Sequence, residues 1–141
     1  YKGLSLSAAY GYTDARFTSY DDGNNDYSGN RIPYSPEHTL NFRAGYLFPL
    51  INSSIVRNIS VNADCSGIGR IWWDEANQFV EPFVAQVGAD VSVAFHWFDL
   101  RFRMDNILNE DYNVFYFKSV GNNFFQRGKP LRWNIGINIS L

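Results

Sequence analysis

The 141-residue chain is short of the residues that staple, chelate or carry charge. Its one cysteine, Cys65, excludes an internal disulfide and a cysteine-rich metal site. His38 and His96 fall on separate predicted strands with no third ligand near either, which gives both structural roles. Charged residues are 18% of the chain, against roughly 25% in ordinary soluble domains, and Lys2, Lys118 and Lys129 are the only lysines. A formal net charge of −2 provides no basic face for nucleic acid or an anionic membrane surface. There is no run of about 18 apolar residues, so no transmembrane helix is encoded. That absence leaves a membrane barrel open, because barrel strands alternate and average out. No stretch holds a helical period. No Ser-His-Asp set or close carboxylate pair sits in a recognisable motif, so neither catalysis nor a cofactor is expected. No initiator Met or signal peptide precedes Tyr1, and the chain is expected to be a piece of a longer precursor or a processed product.

What is abundant is aromatic residues, 18% of the chain, and alternation. Leu131, Trp133, Ile135, Ile137, Ile139 and Leu141 interleave with Arg132, Asn134, Gly136, Asn138 and Ser140, the period-two signature of a strand with one apolar and one wet face. The same pattern predicts strands at about 3–19, 38–48, 59–73, 83–97 and 99–106. On the third, Ile59, Val61, Ala63, Cys65, Ile71 and Trp73 are expected to share a face. Turn formers dominate 20–36, and 49–58, 74–82 and 109–130 read as connections. The expectation is all-β: about six long antiparallel strands in up-and-down order, long enough to span a bilayer.

Alternation alone does not say which face is wet. In a membrane barrel the apolar face meets lipid; in a soluble barrel that binds an apolar ligand it points inward. Mixed charges on the polar faces (Arg43, Asp64, Asp90, Arg101, Arg103, Asp105, Arg132) suit a lumen where they pair with one another. Bulky aromatics near strand ends (Tyr10, Tyr12, Tyr46, Phe48, Trp72, Trp73, Trp97, Phe98, Trp133) suit interfacial girdles. Long connections at 20–36, 74–82 and 106–130 alternate with 49–58 and the tight 97–99 turn, the outside-long, inside-short pattern of outer-membrane barrels.

Four segments in order then carry a family likeness. Gly29-Asn30-Arg31-Ile32-Pro33-Tyr34-Ser35-Pro36-Glu37-His38 resembles a Gly-x-x-hydrophobic-Pro-x-x-Pro-x-His entry to a strand, and Asp74-Glu75-Ala76-Asn77 before Pro82-Phe83 an outer loop. Asp105-Asn106-Ile107-Leu108-Asn109-Glu110-Asp111-Tyr112 is similar to a strand-ending Asn-Leu-Phe-Asp segment, and Gly128-Lys129-Pro130-Leu131-Arg132-Trp133 to the last strand's Gly-x-Pro-Arg-aromatic entry. Together they resemble the C-terminal part of the β-barrel of TonB-dependent outer-membrane receptors, over residues 1–141. The family commonly ends in Phe where this chain has Leu141, and Leu131 separates Pro130 from Arg132.

The resemblance implies about six of some twenty-two strands, with the plug domain absent. It implies the outer membrane of a Gram-negative bacterium, lipid around the barrel, and a small-molecule substrate such as a ferric siderophore. TonB would act only through the missing N-terminal region, and the barrel-assembly machinery would read Asn134, Gly136, Ile139 and Leu141 in the last strand. The isolated segment is expected to self-associate through open strand edges. Candidate ligand contacts in the outer loops are Trp72, Trp73, Asp74, Tyr112, Tyr116 and Phe124, by stacking and hydrogen bonding. Asp21, Asp22 and Asp26 have the oxygen ligands for Ca²⁺ but not the EF-hand spacing, and a solvated turn is the expectation.

Overall fold

The computed structural model describes residues 2–50 and 53–139. Ten strands follow in chain order: β1 Leu4–Tyr12, β2 His38–Pro49, β3 Val56–Gly69, β4 Ile71–Trp72, β5 Val80–Glu81, β6 Val84–Phe95, β7 Phe98–Asp105, β8 Asn113–Ser119, β9 Asn122–Arg127 and β10 Arg132–Ile139. Six of them form one antiparallel sheet in the order β1-β2-β3-β6-β7-β10. Every neighbour in that sheet is also the next long strand along the chain, which is the up-and-down order expected from the alternation. The pairs β4–β5 and β8–β9 are separate hairpins within the outer connections.

Register puts like with like. Arg43 lies opposite Asp64, Asn62 opposite Asp90, Asp90 opposite Arg103, and Arg132 opposite Asp105. The rows between them are apolar, as in Tyr46–Val61–Val91–Phe102–Ile135. A slip of one residue would move every charge to the greasy face, so the two faces lock the register.

The apolar face is the open one. Leu6, Tyr10, Ile135 and Ile137 are all at least 60% exposed, and no described side chain falls below 2% exposure. Among the described residues β1 and β10 pair on one side only, so the sheet does not close on itself. A soluble barrel wrapped around an apolar ligand would bury this face, and that alternative is therefore set aside. The core that exists, Ile71, Trp73 and Tyr116 with Phe79 against it, lies in the outer connections and not in the sheet.

Two strand ends and one connection differ from the sequence reading. β1 stops at Tyr12, because residues 13–37 turn back on themselves: Phe17 N donates to Asn30 O (2.9 Å) and Arg16 bridges Arg31. The third strand does not run on to Trp73. It ends at Gly69, and Ile71–Trp72 pairs instead with Val80–Glu81. Trp72 and Trp73 therefore leave the lipid girdle, and Trp73 is only 4% exposed. The connection at 109–130 contains a hairpin, Asn113–Ser119 with Asn122–Arg127. Its Val114-Phe115-Tyr116-Phe117 run is apolar on both faces, which erases the alternation that would have flagged it. The β6–β7 turn is the expected tight one, leaving Trp97 73% exposed at its tip. Leu141 lies outside the described residues.

Candidate functional site: the ion-paired wall and the outer cap

The polar face of β3, β6, β7 and β10 carries a continuous ion-pair chain. Arg103 donates to Asp64 Oδ1 from Nη1 (2.9 Å) and to Asp105 Oδ1 from Nε (2.7 Å), and its Nη1 also reaches Asp90 Oδ1 (3.3 Å). Arg101 donates to the same Asp90 oxygen (2.6 Å), and Asn62 donates to the other (2.9 Å). Arg132 completes the row on Asp105 (3.2 Å). Asp90 is buried by these partners. Arg43 faces Asp64 in register yet forms no ion pair among the described residues. Such a wall is polar, with these charges held in place by partners on the same strand, the next strand or, for Arg103 and Asp64, across β6.

Above the wall, three connections fasten to one another. The first, 13–37, is tied to the second, 70–83, by Asn77, whose left-handed backbone (φ 54°) turns its amide onto Arg31. Arg31 N donates to Asn77 Oδ1 (2.8 Å), and Asn77 Nδ2 donates back to Arg31 O (3.0 Å). Tyr34 N donates to Trp72 O (2.9 Å), while its hydroxyl crosses to the third connection and donates to Tyr116 O (2.6 Å). Glu81 closes the remaining side: its buried carboxylate accepts from Asn113 N (2.9 Å) and Asn113 Nδ2 (2.8 Å). Glu37, also buried, sits between Arg31 (2.9 Å) and Arg70 (3.1 Å). Both guanidiniums in turn lie over the Trp72 ring, at 5.2 and 5.7 Å from its centroid.

Asn77→Ala removes the two-way clasp, and an expected loss of about 1–2 kcal/mol in local opening free energy follows. Hydrogen exchange should quicken at residues on both sides of the clasp, around Arg31 and around Asn77, with the sheet unchanged.

The expected contact residues separate into three groups. Trp73, Asp74 and Tyr116 line one cleft of about 470 Å³, with Tyr34, Phe79 and Lys118. Trp73 meets the Tyr34 ring edge-on at 5.5 Å, and its buried Nε1 has no hydrogen-bond partner. Asp74 is occupied as a turn cap: Oδ1 accepts from Gln78 N and Phe79 N, both at 2.9 Å. Tyr116 donates to Asn123 Oδ1 (2.9 Å) and packs on Phe79 at 5.0 Å, and burial pushes its phenol above the ordinary range. Trp72 stands beside this cleft under its two arginines. Tyr112 and Phe124 are elsewhere. The Tyr112 ring lies over Gly128, where any Cβ would collide with it, and its hydroxyl donates to Gln86 Oε1 (3.2 Å). Phe124 stacks on Phe117 at 4.9 Å on the half-exposed face of the β8–β9 hairpin.

Tyr34, Phe79, Arg31, Asn77 and Glu81 were not picked out as contacts from the sequence. Tyr34 and Asn77 sit in turn-forming segments, and only their positive φ values reveal how they aim their side chains.

The acidic turn of the first connection uses its carboxylates internally. Asp21 Oδ1 accepts from Gly23 N (2.7 Å), Asp22 Oδ1 from Asn24 N and Asn25 N (2.8 Å each), and Asp26 Oδ1 from Ser28 N (2.9 Å). Among the described residues no group of three His, Cys, Asp or Glu is disposed to hold a metal. The backbone donors of Asn24 and Asn25 hold the Asp22 carboxyl below the usual range, and Ser28 does the same for Asp26. A depressed folded value stabilises the turn above the unfolded value near 3.8, and that stabilisation is lost as pH falls through the folded values. Protection of the Asn24 and Ser28 amides is therefore expected to hold steady from neutral pH down to about pH 4 and to collapse below it.

On β10, Asn134 and Gly136 share the polar face while Ile139 points outward, 66% exposed.

A family model described as "TonB dependent receptor-like, beta-barrel" matches residues 1–107. Two solved structures overlay the whole chain. The ferric yersiniabactin uptake receptor FyuA from Yersinia pestis does so with a TM-score of 0.80 at 15% identity, covering 99% of this chain and 21% of its own. The siderophore receptor PiuA from Acinetobacter baumannii gives 0.75 at 16% identity, covering 99% and 20%. At such identities the likeness is one of fold, and this chain spans about a fifth of each receptor.

Proposed function

The chain belongs to the TonB-dependent receptor-like β-barrel family, and from that premise we propose that it is the C-terminal wall of a receptor that takes up a ferric siderophore or a related metal chelate. Its place is the outer membrane of a Gram-negative bacterium, as part of a barrel of about twenty-two strands around a plugged lumen. The observation that carries the reading is the two-faced sheet: a continuous apolar surface outside, a self-paired ionic wall inside, and tied loops at one end only.

In the intact receptor the aromatic cleft of Tyr34, Trp73, Phe79 and Tyr116 would lie at the outer mouth and form part of the substrate contact. The half-exposed Tyr34 ring offers the accessible stacking surface, while the buried Trp73 and Tyr116 shape the floor of the cleft. TonB acts through the N-terminal portion of the receptor, which this chain does not include. Lipid surrounds the apolar face, the barrel-assembly machinery recognises β10, and the isolated segment self-associates through the free edges of β1 and β10.

The test is complementation. The full-length gene is placed in a cell lacking its own siderophore receptors, and uptake of radioactive iron is followed for a panel of ferric chelates. Uptake that requires TonB, and that Trp73→Ala reduces through a weaker half-saturation, supports the reading. No TonB-dependent uptake or binding of any chelate rejects it.

A further inference from the structure

We propose that the outward face of the sheet carries a seat for a single phospholipid acyl chain, in the periplasmic half of the wall between β2 and β3. The proposal rests on the placement of this face in the membrane. Register aligns Ala44 with Ala63 and Ala63 with Ala89, a row of alanines across three strands. The row on the outer side is Phe42–Cys65–Val87, and the row on the periplasmic side is Tyr46–Val61–Val91. Small side chains between larger ones leave a trough. It opens as a shallow depression of about 320 Å³, with Ala44 and Ala63 as floor and Leu4, Tyr46, Phe48 and Val61 around it. The Tyr46 and Phe48 rings brace each other at 4.5 Å, which stiffens one wall.

Position and chemistry both select the occupant. β2 runs from the outer connection at His38 toward Pro49, so Tyr46 and Phe48 lie on the periplasmic side of its midpoint. That half of the wall meets the inner leaflet of the outer membrane, which is phospholipid. The trough is continuous with the lipid-facing surface, and no charged side chain lines it. A slim methylene chain can fill a narrow apolar trough, gaining contacts that a level surface cannot offer. The rows across β6, β7 and β10 differ. Val91–Phe102–Ile135 and Val93–Leu100–Ile137 are bulky throughout, so lipid there meets an even surface.

The experiment uses the intact receptor in bilayers of phosphatidylethanolamine that carries a photoactivatable group on one acyl chain. Cross-linked peptides are mapped by mass spectrometry. The expected result is an enrichment of about fivefold on the β2 and β3 segments over β7 and β10. Ala44→Leu with Ala63→Leu fills the trough and should bring that ratio to about one, with folding verified by heat-modifiable gel migration. Should the filled variant fail to fold, the wild-type map decides alone. Even labelling around the outward face overturns the proposal, as does capture of lipopolysaccharide at the site in preference to phospholipid. No acyl labelling anywhere overturns it together with the membrane placement on which it rests, so the two failures are distinguishable.

Discussion

Replacing Asn106 with leucine is expected to destabilise the barrel by about 3 kcal/mol, the largest single effect among the connection residues. Asn106 is 3% exposed and lies just beyond β7, where the backbone turns left-handed at φ 50°. Its amide nitrogen donates to Glu110 O (3.0 Å) and to Lys129 O (3.0 Å), and its oxygen accepts from Glu110 N (2.9 Å). One side chain thus pins both feet of the third outer connection, at 106–110 and at 129. Leucine would leave three backbone groups of Glu110 and Lys129 without this partner beneath a buried side chain, and it tolerates a positive φ poorly. Aspartate keeps the acceptor and loses the donors, so Asn106→Asp should fall between wild type and Asn106→Leu. The urea midpoint of the folded receptor, followed by tryptophan fluorescence, orders the three proteins. Equal midpoints for all three would show that this connection is held by something else.

The second large effect is expected at Arg103. Arg103→Met removes the cation shared by Asp64, Asp90 and Asp105. Asp90 keeps Arg101 and Asp105 keeps Arg132, but Asp64 keeps no ion-pair partner among the described residues. Breaking a buried pair costs about 3–5 kcal/mol. Asp64 is 26% exposed on a face that a wet lumen would bathe, so screening reduces the expected loss to about 2 kcal/mol. Arg103→Lys should recover little, because a single ammonium cannot bridge carboxylates on two strands as the planar fork does. The decisive variant is Arg103→Met with Asp64→Asn, which removes the stranded charge. A double-mutant cycle on these sites should show about 1 kcal/mol of coupling, and strict additivity would rule out the proposed network.

These two residues illustrate how unevenly the structure could be read from the chain. Arg103 was visible as a charge on the polar face of an alternating strand, and its partners were the other charges on such faces. The sheet then brings together residues 39 positions apart, Asp64 and Arg103, which meet over Gly88 of the strand between them. Asn106 was visible as part of a family-like segment, but its work was not, because its hydrogen bond to Lys129 depends on where the chain returns 23 residues later. The outer aromatics were read as a group, and the structure sorts them. Trp73 and Tyr116 come together in the cap core, Trp72 goes beneath two arginines, and Phe124 stays on an exposed hairpin face. Alternation says which face a residue takes only while the strand lasts. Once β3 ends at Gly69, parity carries no information about Ile71 and Trp73.

Sequence by itself determined the six long strands, their up-and-down order and the chemistry of each face, because a period of two is a local property and short turns leave adjacent strands little choice of partner. It determined, through loop lengths, which end of the sheet carries the elaborated connections. Tertiary structure decided the rest. The apolar face stays exposed along the whole sheet, and β1 and β10 are each left with one open edge within the described residues. The three outer connections become one tied cap because Asn77, Tyr34 and Glu81 reach across gaps of 32 to 82 residues. Those contacts arise only after the sheet has set its strand ends side by side, so no pattern along the chain records them.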